Sequence, residues 1–95
     1  MTSKQISFLR GIAHKLNAVV MIGNNGLSES VLNEINANLN AHELVKIKVQ
    51  SDDRALRVQM YVDICKTLNA IAVHHIGKQL VVYRKANKPK IIVLD

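Results

Sequence analysis

The stretch His42–Gln50, HELVKIKVQ, constrains this chain more than any other. Val45, Ile47 and Val49 alternate with Lys46 and Lys48. Successive side chains of a strand point to opposite faces, so this pattern predicts a strand with one buried face and one basic face. The segments around it have a helical period. Ile6, Leu9, Ala13 and Leu16 recur at three- and four-residue steps, behind Ser3 as a cap. Val31, Ile35 and Leu39, with Leu32 beside them, share one face of a second helix that Ser28 caps and that ends near Asn40. Residues 54–69 supply Leu56, Val58, Tyr61, Val62, Ile64, Cys65 and Leu68 to a third, whose wide apolar band predicts a largely buried helix.

Three further runs complete the pattern. Ala18–Ile22 reads as a short strand ended by Gly23. AIAVHHIG and QLVVYR read as a hairpin split at Gly77-Lys78. Ser51-Asp52-Asp53 is a turn and cap cluster. The order is helix-strand-helix-strand-helix-strand-strand, an α/β chain. Strands separated by helices predict right-handed crossovers and a mostly parallel sheet, with a final antiparallel hairpin strand. Pro89 marks residues 86–95 as a C-terminal tail, and the apolar run IIVL at 91–94 should dock on the domain or on a neighbour.

At 95 residues, 48% of them apolar, the chain is expected to form one domain, 1–95, with one core. Thirteen Lys and Arg against seven Asp and Glu leave a formal charge of +6, which favours polyanionic partners. Residues 1–28 carry three bases and no acid. Residues 29–63 carry six acids against four bases, and residues 64–95 carry six bases and only Asp95. The two basic ends make one basic face if they meet in space; otherwise the charge is a scattered, solvated surface. A lone Cys65 among apolar residues reads as an inert, buried thiol in a reducing compartment. The chain has no apolar run of transmembrane length and no secretory pattern at its N-terminus, so a cytoplasmic protein without membrane contact is expected.

Gly23-Asn24-Asn25-Gly26 joins a strand to a helix. Glycines let a ligand come close to the backbone, and a helix N-terminus offers free N–H groups to a phosphate. The loop is too short for a nucleotide-triphosphate loop and no Lys-Ser or Lys-Thr follows it. It is therefore either an ordinary turn or a place for a nucleic-acid backbone, in the manner of the KH-type G-x-x-G loop. Catalysis has little support. His14, His42, His74 and His75 show no metal-ligand spacing, and His74 and His75 should face opposite sides of a strand. No metal and no cofactor is expected. Three aromatic residues, Phe8, Tyr61 and Tyr83, are too few for a base-stacking sheet, so recognition should rest on phosphates, sugars and shape. His42 and Glu43 read as capping and packing groups, and Tyr83 as half buried.

FLRGIAHKL, IGNNGLSESV, HELVKIKV and HHIGKQLVVYR occur in an order and spacing that resembles the CRM domain (chloroplast RNA splicing and ribosome maturation), in particular the single-domain bacterial YhbY-like proteins, over residues 3–85. The resemblance implies a two-layer fold with a mixed four-stranded sheet, similar to the C-terminal domain of translation initiation factor three, and a KH-like G-x-x-G loop. It implies RNA binding, with ribosomal RNA or large-subunit precursors as the partner, and a role in ribosome assembly; beside it, a monomer without catalytic activity is expected. Carried onto this chain, the loop is Gly23, Asn24, Asn25 and Gly26, and the basic and polar positions are Arg10, His14, Lys46, Lys48, Lys78 and Arg84; Lys15 joins Arg10 on the first helix. Ala18 stands where the family usually has proline, and the two asparagines stand where a lysine is frequent. A DNA- or RNA-compacting protein of the Alba type and a small RNA-processing enzyme are the alternatives.

Overall fold

The computed structural model describes residues 1–91. Its elements are α1 (Ser3–Ala13), β1 (Val20–Ile22), α2 (Glu29–His42), β2 (Leu44–Val49), α3 (Arg54–Leu68), β3 (Ile71–Ile76) and β4 (Gln79–Tyr83). Their order is the one the periodicities predict, and the ends follow from local chemistry. Thr2, not Ser3, caps α1: Gln5 N donates to Thr2 Oγ1 and Thr2 N donates to Gln5 Oε1, a reciprocal capping box. Ser28 caps α2 by accepting from Val31 N at 3.2 Å. Asp53 caps α3 by accepting from Leu56 N, and Asn69 closes that helix in the left-handed conformation. Helix α1 stops at Ala13, so Leu16 falls in the turn beyond it and is exposed.

The four strands lie in the order β1-β2-β4-β3. Only β1 and β2 are parallel; β2–β4 and β4–β3 are antiparallel. The mostly parallel sheet expected from the alternation of elements is thus corrected. A tight turn at Gly77, φ 54°, folds β4 straight back, and β4 enters the gap between β2 and β3 that the α3 crossover spans.

The two-layer expectation is also corrected, because the helices sit on both faces of the sheet. Val45, Ile47 and Val49 pack with Leu80 and Val82 against Ile35 and Leu39 of α2 and Met60 and Ile64 of α3. On the other face Leu44, Val81, Tyr83 and Val73 pack against Leu9 and Ala13 of α1. Each fully buried aliphatic side chain there contributes about 1.5–3 kcal/mol. The alternation in β2 therefore does not separate core from solvent: it separates two cores, and Tyr83 is fully buried rather than half buried. Helix α3 departs in the opposite direction. It meets the sheet along one narrow face, where Arg57 joins Met60 and Ile64, and it leaves Leu56, Val58 and Val62 exposed.

Tyr61 fixes the far edge of the sheet. β3 bulges between Ala72 and His74, and the Tyr61 hydroxyl fills the break: it accepts from His74 N at 2.9 Å and donates to the carbonyls of His74 or Val81. Burial pushes its phenol up to about 12.

Candidate nucleic-acid interface

Helix α1 is shorter than the sheet face it covers. Its end at Ala13 leaves one row of cross-strand neighbours open: Met21 opposite Lys48, Lys48 opposite Gln79, and Gln79 opposite Ile76. Met21 is 54% exposed and Ile76 51%. Lys48 is exposed and Gln79 half buried. Neither side chain has a hydrogen-bond or ion-pair partner among the described residues, so the row offers a free ammonium and a free carboxamide between two apolar flanks. The row borders a cleft lined by Ala13, His14, Lys46, His74, Ile76, Gln79 and Val81, which joins it to the end of α1.

The loop Gly23–Gly26 leaves the same end of the sheet. β1 ends at Ile22 beside Val49, and Gln50 N donates to Ile22 O. Gly26 N donates to Gly23 O at 3.1 Å, so the two asparagines form the exposed centre of a tight turn. Gly26 has φ 73°, which excludes most side chains; Gly23 does not, and a Cβ there would meet only the Gln50 side chain at 3.6 Å. The glycine that the turn requires is therefore Gly26. Lys78, in the hairpin turn at this end, pairs with Asp52, whose carboxyl that hydrogen bond and charge hold below its ordinary value.

The other predicted basic residues divide by location. His14 and Lys15 are exposed at the end of α1. Arg10 is exposed, but its Nε donates to Val73 O at 2.8 Å and so also ties α1 to β3. Lys46 is 9% exposed and its Nζ donates to Leu16 O at 3.0 Å, closing the turn after α1; it does not belong to the solvated basic face read from the alternation. Arg84 lies on the opposite face. Its guanidinium donates to Leu68 O at 2.8 Å, Asn36 O at 3.4 Å and Asn40 Oδ1 at 2.8 Å, and so binds the ends of α3 and α2 together. The two basic ends of the chain therefore do not meet as one face at this residue: Arg84 is turned away from Arg10 by one residue of strand alternation, since Tyr83 faces α1.

The histidines do separate as their adjacency requires. His75 accepts from Arg57 Nε at 3.3 Å and meets the Tyr61 ring edge-on, on the α3 side. His74 lines the cleft beside α1, where burial first and then the charges of Arg10, His75 and Lys46 push its imidazole down. Among the described residues no group of three His, Cys, Asp or Glu side chains is placed to hold a metal ion. The Cys65 thiol is half buried, and burial pushes it up.

The CRS1/YhbY (CRM) domain matches residues 1–84, nearly the whole length described. The chain belongs to this family. An RNA-binding protein of Haemophilus influenzae is 46% identical over 91 residues, covering 96% of this chain and 92% of that protein. A protein of Pseudomonas aeruginosa named a probable RNA-binding protein is 37% identical, covering 94% and 86%. The solution structure of a hypothetical protein from Staphylococcus aureus, presented there as an RNA-binding candidate, superposes with a TM-score of 0.85 at 27% identity, covering 95% and 94%.

In this CRM domain the open row is what sequence reasoning missed. Met21 lies outside the family motifs, and Ile76 and Gln79 lie in HHIGKQLVVYR without marking a binding position there; the three matter because α1 ends early and because β4 sits between β2 and β3. The sequence does not mark the end of α1, because Leu16 continues the apolar stripe one step past Ala13. Glu43 caps α2, as its place at the helix end predicts, with φ 66°. It is also completely buried and accepts from Ala86 N, Lys90 N and Ile91 N, which holds the tail. Ile91 packs beside Ile12 over the α1 core; residues 92–94 of the IIVL run lie outside the described residues.

Proposed function

We propose that this protein binds structured RNA, with ribosomal RNA of large-subunit precursors as its partner, and acts in the cytoplasm as a monomeric assembly factor without catalysis of its own. The observation that carries the reading is the open row with Lys48 at its centre, next to the Gly23–Gly26 turn. A basic chain leaves unpartnered hydrogen-bonding groups exposed at one end of its sheet. It does so beside a turn whose centre projects only two neutral asparagines. The family membership and the RNA-binding names of the relatives support the same conclusion.

The mechanism is electrostatic and local. Lys48, Lys15 and Lys78 neutralise phosphates, and His14 with the free carboxamide of Gln79 gives hydrogen bonds to phosphate, sugar or base edge. The turn admits the strand closely, and the first amides of α2 lie behind it, although Glu29 in the first turn of that helix opposes a phosphate placed directly over them. Lys78 has to exchange Asp52 for a phosphate, so its share is the smaller.

Salt dependence tests the reading. With about three to five phosphates neutralised, log K for an RNA hairpin should fall with log salt at a slope of about −2 to −4.5. A slope near zero sinks it. Crosslinking in cells, followed by sequencing of the bound RNA, tests the ribosomal assignment: recovery of RNA other than large-subunit precursor would replace that partner. An RNA-processing activity would show as cleavage on incubation, and a compacting protein of the Alba type as DNA bound as tightly as RNA.

A further inference from the structure

The outward side of α1 carries a residue that the fold itself does not use. Gly11 stands inside the helix, where glycine is the worst former after proline. Nothing in the molecule requires it: a Cβ there would meet no heavy atom within 4 Å, and its backbone is not left-handed. Three residues earlier Phe8 is 47% exposed. Together with Ile12 and Lys15 these residues line a shallow open cleft. Phe8, Ile12 and Lys15 follow one another at four- and three-residue steps and so share one flank, with Lys4 a turn before. The helix contains no acid, and Lys4 and Lys15 have no ion pair or side-chain hydrogen bond among the described residues.

A ring face, a backbone bare of side chain and a cation at each end match a nucleotide. The ring takes a base, the bare turn of helix lets the sugar approach, and the ammonium groups take the phosphates. A protein partner fits less well, because two unpaired cations flank the apolar surface. We infer that this slot holds one unpaired base of the bound RNA, stacked on Phe8, with the strand crossing α1 at Gly11. The inference rests on the RNA binding proposed above and adds a selection to it: duplex RNA hides its base faces, so the slot favours a single-stranded or bulged segment.

Two substitutions and one modified RNA test it. Gly11→Ala should raise the melting temperature by about 4 °C, since alanine favours the helix and meets no neighbour. The same variant should bind a single-stranded oligonucleotide about fivefold more weakly, because its methyl group occupies the slot. Phe8→Leu keeps an apolar side chain but removes the ring, and should cost about tenfold against the single strand and nothing against a blunt duplex of equal phosphate count. The unaltered protein should lose a similar factor when a hairpin with one bulged nucleotide is made abasic at that nucleotide. A Gly11→Ala protein that is more stable and binds as tightly overturns the slot, and so does equal affinity for single strand, duplex and abasic hairpin with a normal salt slope. Failure of the unaltered protein to bind any of these RNAs at low salt would instead remove the RNA reading on which the slot depends.

Discussion

The two ends of the sheet treat the same kinds of residue in opposite ways. At the end where β4 finishes, charge is consumed by structure. Arg84 closes three acceptors on α2 and α3, and Glu43 is sealed from solvent with three backbone donors on its carboxylate. At the end where β1 finishes, Lys48 and Gln79 stand side by side with no partner among the described residues, and the Asn24-Asn25 turn projects past them. Lys46 and Lys48 show the difference within one strand: two residues apart on the same face, one lies under α1 and bonds to Leu16 O, the other lies beyond it and is free. What a charged side chain does here depends on where the covering helix stops, and not on its charge or its place in an alternating pattern.

At the closed end Glu43 should carry the greatest share of stability. Glu43→Ala should destabilise the protein by about 3 kcal/mol, because three backbone N–H groups lose a charged acceptor in a buried site. RNA affinity of the folded variant should not change. Acid should act the same way. Burial raises the carboxyl, but the bonds from Ala86, Ile91 and Lys90 and the Lys90 charge outweigh it and leave the group below its usual 4.5. A group depressed in the folded state stabilises fully above its unfolded value, so this contribution is lost as pH falls from about 4.5 through the folded value. Urea melts of the unaltered protein and Glu43→Gln between pH 3 and 6 should converge toward the acid end. Parallel curves would mean that the carboxylate does not hold the tail.

Next in size is Arg84. Arg84→Met keeps the stem and removes the guanidinium, which should cost about 2 kcal/mol of stability through the lost charged bonds that tie Leu68 O of α3 to Asn40 of α2. Hairpin affinity should stay within about twofold, since the group faces α2 and α3. A folded Arg84→Met that binds RNA about tenfold more weakly would restore the composite basic face and erase the contrast between the two ends.

These two residues also show how far the fold is legible in the sequence. The seven elements, the Ser28 and Asp53 caps and the family were legible, because period, cap chemistry and motif order are local. Sheet order was not. Nothing local says that β4 inserts between β2 and β3, or that α1 takes the opposite face from α2 and α3. Once both faces are covered, alternation such as LVKIKV no longer marks inside from outside. The placement of Lys46 and Arg84 failed for that reason, while the loop and Lys48, which lie past the end of every covering helix, kept the exposed positions the pattern suggested.

Lys48 and Lys46 carry the same contrast within one strand. Lys48→Glu should fold normally and bind a hairpin about tenfold more weakly, with a salt slope reduced by about one or more. Lys46→Met should do the reverse, changing the melt more than the affinity. If the two variants lose affinity equally, the boundary drawn by α1 does not divide structural from binding lysines.

The smallest effect belongs to the turn. Gly26 holds it by its left-handed backbone and by the bond to Gly23 O, so neither asparagine side chain is needed for its shape. Asn24 and Asn25 are exposed, and replacing both by Asp changes almost no volume. The melt should therefore stay within about 2 °C. If an RNA backbone crosses the turn, each new charge should cost about 1 kcal/mol or less at physiological salt, because an exposed charge is screened. Alanine at both positions separates two forms of contact. If backbone amides receive the phosphate, the double Ala variant should bind nearly as well as the original protein and the double Asp variant clearly worse. If the carboxamides donate the bonds, both should lose affinity, alanine by the two hydrogen bonds and aspartate by that and the repulsion. Unchanged affinity in both, with melts intact, would leave the turn as a connection between β1 and α2 and assign the open end of the sheet to Lys48 and its neighbours alone.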